Sequence, residues 1–254
     1  MSETLFSCIS ITKCYCGEPV VKDITFDVPY NAFYSLVGRS GIGKTTLFNV
    51  LACVDKPDSG SVLLCGKDIT GKAGSVSYML QKDLLLPYMT LLDNAALPLI
   101  LRGKKKAVAR EEAASYFAEF ALSGHEKKYP ANVSGGQRQR AALLRTCLMN
   151  NKIILLDEPF SALDAITRLE MGAWFKTIAA KRNLAAIFVT HDIDEAIRLS
   201  NKVFVMSTIA QSGIKAAAYA PALITKVVEI PQSINSVTQS NEYIQIKKTI
   251  FDAI

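Results

Sequence analysis

The sequence predicts an α/β fold built on a parallel sheet covered by helices on both faces. Three observations carry that prediction. Continuous apolar runs alternate with helical segments through residues 151–206, the pattern of strands buried on both faces. A glycine-rich loop, GRSGIGKT at 38–45, lies between a strand-like run and a helix-like run. The first 80 residues are rich in short β-type segments, whereas residues 81–150 carry mostly helical composition.

Each element follows from local pattern. VVKDITFDVPYNAFYSLV at 20–37 holds two runs rich in Val, Phe and Tyr, parted by the turn-like PYN, and reads as strands. TTLFNVLA at 45–52 starts a helix straight after the glycines. SVLLCG and GSVSYM are strand candidates on either side of the turn-prone GKDITGKAG. KKKAVAREEAASYFAEFAL at 104–122 reads as a helix with its basic run toward solvent, and GGQRQRAALLRTCLM supplies another. HEKKYPAN between them is a linker with Pro130 as its boundary. The rhythm then resumes, with IILLD a strand, AITRLEMGAWFKTIAAK a helix, LAAIFVTH a strand, DIDEAIRLS a helix and KVFVMS a strand. The expected organisation is one domain over 1–254: a core from 1–80 and 151–206, a helical subdomain at 81–150 inserted after the Gln81 loop, and a tail at 207–254 packing on the core. NEYIQIKKTIFDAI closes the tail as a helix.

Composition narrows the function class. A chain of 254 residues, half of them apolar and 20% charged, buries a substantial core and is neither a polyelectrolyte nor a membrane-embedded protein. Lys and Arg exceed Asp and Glu by 29 to 23, a mild and scattered excess that reads as a basic surface rather than a nucleic-acid stripe. MSETLFSCISITK lacks the layout of a signal peptide, and no run reaches the roughly 18 apolar residues of a spanning helix, so a cytosolic location is expected. The six cysteines include the close pair Cys14 and Cys16 but no paired metal-ligand spacing, and with two histidines they read as reduced thiols.

The chemistry sits in a few short stretches. GRSGIGKT matches G-x-x-x-x-G-K-[ST] in the required strand-loop-helix context. Its backbone N–H groups and the helix N-terminus suit phosphates, Lys44 suits the β and γ phosphates, and Thr45 suits Mg²⁺. Gly38, Arg39, Ser40, Gly41, Ile42, Gly43, Lys44, Thr45 and Thr46 are therefore the candidate nucleotide cradle. IILLDEP ends an apolar strand in two acids, with Asp157 placed for the metal and Glu158 for an attacking water. His191, at the tip of a neighbouring strand, is a candidate γ-phosphate contact, and the amide of Gln81 is a candidate for metal and water. VSGGQRQR at 133–140 adds a second glycine-containing anion site, which one phosphate loop alone does not explain.

Taken in order, the phosphate loop, Gln81, VSGGQRQR, IILLDEP, SALD at 161–164 and His191 resemble the ATP-binding-cassette ATPases over roughly residues 5–207. The resemblance implies the P-loop nucleoside triphosphate hydrolase fold, ATP and Mg²⁺ as cofactors, with Thr45, Gln81 and Asp157 at the metal, and hydrolysis assisted by Glu158, His191, Lys44 and Gln81. It also implies that Ser134, Gly135, Gly136 and Gln137 complete the nucleotide site of a second copy in a head-to-tail dimer sandwiching two ATPs. Tyr15 aligns with an adenine-stacking aromatic, and Asp164 with a contact across the dimer as well as a helix N-cap.

The segment SYMLQKDLLLPYMTLLDNAALPLILRG resembles bacterial importers of nitrate, sulfonates, taurine and pyrimidine precursors. That implies integral membrane permease subunits, an extracytoplasmic solute-binding protein, no nucleic acid, and a peripheral position on the cytoplasmic face of the inner membrane. Leu85, Leu86, Tyr88 and Met89 are candidates for docking a helix of the membrane subunit, or for packing inside the helical subdomain. STIAQSG at 207–213 departs from the basic or glycine-containing turn of many importers, and the tail is short for the sugar-importer branch. The alternative reading is the ATPase of an exporter or lipoprotein-release complex.

Overall fold

Strands form wherever β-branched and aromatic residues recur with two-residue period or run continuously, and among the described residues ten of them share one sheet. The computed structural model describes residues 3–149, 151–208, 220–231, 234 and 240–254. The strands are β1 (Thr4–Tyr15), β2 (Glu18–Pro29), β3 (Phe33–Gly38), β4 (Ser59–Leu64), β5 (Lys67–Asp68), β6 (Ser77–Met79), β7 (Ile153–Asp157), β8 (Ala185–Val189), β9 (Lys202–Thr208) and β10 (Ala222–Glu229). Their spatial order is β5-β4-β1-β2-β10-β9-β3-β8-β7-β6. β9, β3, β8, β7 and β6 are mutually parallel. β3, β7 and β8 are buried at every residue, as expected for strands covered on both faces. β1 pairs antiparallel with β2 and β4, which accounts for the β-rich opening of the chain.

Among the described residues seven α-helices cover the sheet and extend beyond it: α1 (Lys44–Leu51), α2 (Leu91–Leu101), α3 (Lys106–Ser115), α4 (Gly135–Cys147), α5 (Ala165–Lys181), α6 (Ile193–Leu199) and α7 (Asn241–Ala253). Between β6 and β7 the chain is helical, and α2, α3 and α4 pack with Phe117, Phe120 and Leu122 into a core continuous with Ile154, Leu156 and Phe188 of the sheet. α3 stops at Ser115 instead of running to Leu122, and residues 116–121 are turns. Phe117, Phe120 and Leu122 are all buried, and each is worth about 1.5–3 kcal/mol of transfer free energy, enough to override helical propensity.

Three strands lie outside the sequence expectation, the shortest being β5, whose two residues pair with β4 inside the stretch read as a turn. β1 carries Ser, Thr and Cys at many positions, and its pairing with β2 shifts register four times, which breaks any clean alternation. β10 pairs with β9 and touches β2 through Ala222 and Val21, joining the antiparallel and parallel halves of the sheet. Residues 209–213 of STIAQSG lie outside the described residues.

α7 buries Tyr243 and Ile250 against Ala196, Val203 and Val228. Asp194, on α6, accepts from the Tyr243 hydroxyl at 2.6 Å and the Lys247 ammonium at 2.8 Å. Burial alone raises its carboxyl, but the bonds from Lys247 and Tyr243 outweigh it, leaving the group below the usual aspartate range. A depressed folded pKa contributes stability above the unfolded pKa and loses it as pH falls through the folded value. Asp194→Asn is therefore expected to cost roughly 1 kcal/mol at neutral pH, the partly exposed ion pair supplying little of it. The deficit should close as the pH is lowered through the ordinary aspartate range and below. Thermal melts across pH check this, and a deficit that is the same at every pH counts against the ionic tie.

Candidate nucleotide site

Parallel strands deliver their carboxyl ends to one edge of the sheet, and in open α/β sheets that edge binds ligands. Here β3 runs into the glycine loop, β6 precedes Gln81, β7 ends at Asp157 and β8 leads to His191. A cavity of about 540 Å³ opens there, lined by Ser40, Gly41, Gly43, Lys44, Thr45, Thr46, Gln81, Asp157, Glu158 and His191, together with Val20 of β2.

Two glycines of the loop are required by local geometry. A Cβ on Gly38 would lie 2.6 Å from the Met206 carbonyl oxygen, so a side chain would drive β3 away from β9. Gly43 takes φ 106 as the N-cap of α1, and a Cβ there would also strike Val20 at 2.9 Å. The result is a helix start whose free N–H groups face the cavity, favourable to anions. The Lys44 ammonium folds back over the loop and donates to the Gly38 and Arg39 carbonyls at 2.8 and 2.9 Å. Burial lowers its pKa, opposed by the charges of Glu158 and Asp157.

The two acids at the end of β7 sit in different surroundings. Asp157 is 4% exposed and accepts from the Thr45 hydroxyl at 3.0 Å. Burial pushes its carboxyl upward, the Thr45 bond and Lys44 opposing. Glu158 takes φ 45, a left-handed conformation that costs a non-glycine residue about 1–3 kcal/mol and turns the side chain into the cavity. One of its carboxylate oxygens accepts from the Gln81 amide at 3.0 Å and lies 3.5 Å from His191 Nδ1. Glu158, Gln81 and His191 thus form one cluster across three strand ends.

The remaining candidates lie outside this lining. Ile42 packs against the core beneath the loop, and Arg39 contributes its carbonyl. Tyr15 is 45% exposed at the end of β1, its hydroxyl donating to Asp55 at 2.8 Å. Ser134, Gly135, Gly136 and Gln137 form the start of α4. There a capping box closes, with Gln137 N–H donating to the Ser134 hydroxyl at 3.3 Å and Ser134 N–H donating to the Gln137 amide oxygen at 3.0 Å. Gln137 also meets His125 at 2.8 Å. Asp164 caps α5 by accepting from Thr167 N–H at 3.0 Å.

Several positioning residues carried no signal in the sequence. Asn94, fully buried on α2, donates to the carbonyls of Leu86, Met89 and Thr90 and accepts from Leu86 N–H at 2.7 Å. Arg145 of α4 donates to the carbonyls of Asp83 and Leu84, and Arg138 lies 3.4 Å from the Asp83 carboxylate. These bonds hold the stretch after Gln81 in place. The Gln139 amide donates to the Pro159 carbonyl, tying α4 to the residue after Glu158. Their polar side chains stand in helical runs like any surface residue, so only tertiary contact distinguishes them. Leu85 is buried in the core, so of the four docking candidates it serves internal packing.

Comparison with known proteins gives the family. The ABC transporter family profile matches residues 21–161. The formylaminopyrimidine import ATP-binding protein ThiZ of Halalkalibacterium halodurans is 39% identical over 211 residues, 83% of this chain and 82% of that protein. The aliphatic sulfonates import ATP-binding protein SsuB 2 of Agrobacterium fabrum is 39% identical over 198 residues, 78% of this chain and 74% of that protein. A bacterial ABC transporter cassette solved as a dimer superposes with a TM-score of 0.74 at 25% identity, covering 89% of this chain and 99% of the other. A nucleotide-free ATP-binding cassette superposes with a TM-score of 0.76 at 19% identity, covering 96% and 98%, a likeness of fold. The chain belongs to the ABC transporter family, as one of its ATP-binding cassettes.

Proposed function

We propose that this ATPase hydrolyses ATP between two copies of itself and thereby powers uptake of a small solute through separate membrane subunits. The observation that carries the reading is the convergence of Lys44, Thr45, Asp157, Glu158, Gln81 and His191 on one cavity at the carboxyl ends of parallel strands. The oxygen donors of Thr45, Asp157 and Gln81 suit Mg²⁺, which prefers a few protein oxygens and completes its shell from phosphates and water. When bound, Mg²⁺ supplies charge to the β and γ phosphates. Lys44 neutralises the charge that develops on the transferred phosphoryl group. Glu158 orients and polarises the attacking water, while Gln81 and His191 hold its carboxylate. The displacement is in line, without a covalent intermediate.

Ser134 and the glycines after it face the γ-phosphate of a nucleotide held by the second copy. Support comes from their position outside the cavity of their own chain, from the helix N-terminus they form, and from the solved dimer of a similar cassette. Tyr15, exposed at the end of β1, stacks on adenine, a role supported by its exposure and by the family resemblance of its position.

The membrane partner docks on a groove of about 410 Å³ lined by Leu84, Leu86, Leu97, Pro98 and Leu101, with Tyr88 72% exposed. It lies next to the stretch anchored by Asn94 and Arg145, so a docked helix is felt at Gln81. Among the described residues no helix is long and apolar enough to cross a membrane; the peripheral place on the cytoplasmic face is supported instead by the likeness to import ATP-binding proteins. The names of the relatives, a formylaminopyrimidine and an aliphatic-sulfonate import ATP-binding protein, support a nitrate-, sulfonate- or taurine-like solute or a pyrimidine precursor; on this reading an extracytoplasmic binding protein selects it.

Three experiments test this. Glu158→Gln is expected to lower steady-state ATP turnover by at least about 100-fold while ATP-dependent dimers persist; turnover near that of the unaltered protein removes Glu158 from the mechanism. Ser134→Arg is expected to abolish ATP-dependent dimerisation on a sizing column while each chain still binds nucleotide. Its lost cap, about 1 kcal/mol, is read separately by melting, and undiminished dimerisation refutes the role in trans. Affinity purification from gently solubilised membranes is expected to recover a polytopic permease with a solute-binding protein. Recovery of an efflux or lipoprotein-handling subunit instead reverses the direction of transport.

A further inference from the structure

The start of α4 is held from outside the helix by one side chain, His125. It stands half-buried in a loop that runs from the buried Leu122 to the buried Pro130. Its backbone N–H donates to the Leu122 carbonyl at 3.0 Å, and its own carbonyl accepts from Lys128 N–H at 3.0 Å. The same loop supplies acceptors to the first turn of α2: Leu91 N–H donates to the Lys128 carbonyl at 2.8 Å and Leu92 N–H to the Glu126 carbonyl at 3.1 Å. These are donors that a helix leaves free at its own beginning, so the loop is fixed to α2 before it reaches α4.

The hydrogen bonds around the ring fix where its proton lies. In the capping box the Gln137 amide oxygen accepts from Ser134 N–H at 3.0 Å, so the NH2 group of that amide is what faces His125, with its nitrogen 2.8 Å from Nε2 of the ring. An amide NH2 donates, which makes Nε2 the acceptor and leaves it without a proton. The proton is then on Nδ1, 3.0 Å from the Ser123 carbonyl oxygen, an acceptor. Turning the Gln137 amide over would set its NH2 against Ser134 N–H, so the capping box itself excludes the opposite assignment. From Ser123 through His125 and Gln137 to Ser134, each donor meets an acceptor.

We infer that His125 is a positioning residue for the nucleotide site of the second copy, acting through Gln137 on the Ser134 end of α4. The inference rests on the role in trans proposed above for that end. The ring holds the Gln137 side chain in the orientation that closes the capping box, and the closed box keeps Ser134 at φ −66 and ψ 162, the extended geometry of an N-cap, with the first N–H groups of α4 directed outward for phosphate. Without an acceptor at Nε2 the Gln137 amide loses one of its two anchors and exchanges Ser134 N–H for water. Ser134 and Gly135 are exposed, so packing does not restore the geometry. The loss falls on dimer closure, while nucleotide binding within one chain, whose cavity is built by other elements, is spared.

The chain has two histidines, His125 and His191, so NMR of protein labelled with nitrogen-15 histidine resolves both rings, the His125 signals being those lost in His125→Gln. The neutral His125 ring is expected to carry its proton on Nδ1, with an Nε2 signal that shifts in Gln137→Ala; a proton on Nε2 overturns the inference. The consequence for function is read as ATP-dependent dimerisation of the full chain in the Glu158→Gln background, by analytical ultracentrifugation. His125→Leu is expected to weaken the dimer on the order of tenfold, since each dimer loses the bond twice, with binding of a fluorescent ATP analogue to each chain unchanged. His125→Gln sets an amide oxygen about where Nε2 stands and is expected to restore most of the affinity, a rescue that a space-filling role of the ring would not give. Melting curves show that both variants are folded. Undiminished dimerisation of His125→Leu overturns the inference, and so does equal weakening by the two variants. Ser134→Arg in the same background separates the underlying reading: intact dimers there remove the role of α4 in trans, whereas the nitrogen spectrum reports the bond between His125 and Gln137 in the single chain.

Discussion

The nucleotide site rests on the parallel register of three strands. Val189 of β8 stands opposite Leu36 of β3 on one side and opposite Asp157 of β7 on the other. With a side-chain period of two, a slip of one residue in either pairing would turn Asp157 to the other face and misalign Glu158 with His191. That register is fixed by burial on both faces, since β3, β7 and β8 expose no residue. The chemistry is thus held by apolar packing, and the backbone N–H of Glu158 donating to the Val189 carbonyl at 3.1 Å extends the pairing one residue beyond β7.

The same constraint explains where flexibility of arrangement is left. Gln81 reaches Glu158 from the end of β6, the edge strand, and the chain beyond it enters the helical subdomain. That stretch is secured by side chains of α2 and α4, with Asn94 saturating three carbonyls and an N–H, and Arg145 two more carbonyls. Part-buried backbone groups left without these partners would carry a desolvation penalty of at most about 1–3 kcal/mol each. A movement of α2 and α4 therefore carries residues 83–90 with it, and Gln81 lies two residues before that stretch. The Gln139 bond to the Pro159 carbonyl gives α4 a second connection, on the other side of Glu158.

How much of this was legible in the sequence depends on whether the information is local. GRSGIGKT is read at sight because loop, lysine and hydroxyl are contiguous and the flanking apolar runs give the strand and helix. IILLDEP and LAAIFVTH are legible for the same reason, each being an apolar strand ending in polar residues. β1 was not legible, because its four register shifts disperse the apolar positions that alternation would require. ALITKVVE of β10 holds enough β-branched residues to have been found, yet it follows a long uninformative stretch. Val20 gave no sign of lining the cavity, since only folding brings it against Gly43. Asn94 and Arg145 are the same case: their partners lie in a loop whose path local sequence does not determine.

The capping box at Ser134 bears on why a second nucleotide-facing segment should act in trans. With Gln137 and Ser134 satisfying one another, the start of α4 is stable by itself, and the glycines leave its face free of side-chain bulk. The N-terminus of a 13-residue helix carries partial positive charge, and so does that of α1 beneath the glycine loop. Two such ends facing each other across a dimer repel unless an anion lies between them. In the proposed arrangement the triphosphate is that anion, so nucleotide binding and dimer closure become linked, each strengthening the other by the same factor. Loss of the γ-phosphate removes charge from between the two helix ends, and the linkage then runs in reverse. In that proposed arrangement, what Glu158 does at one atom would be converted into separation of two whole chains.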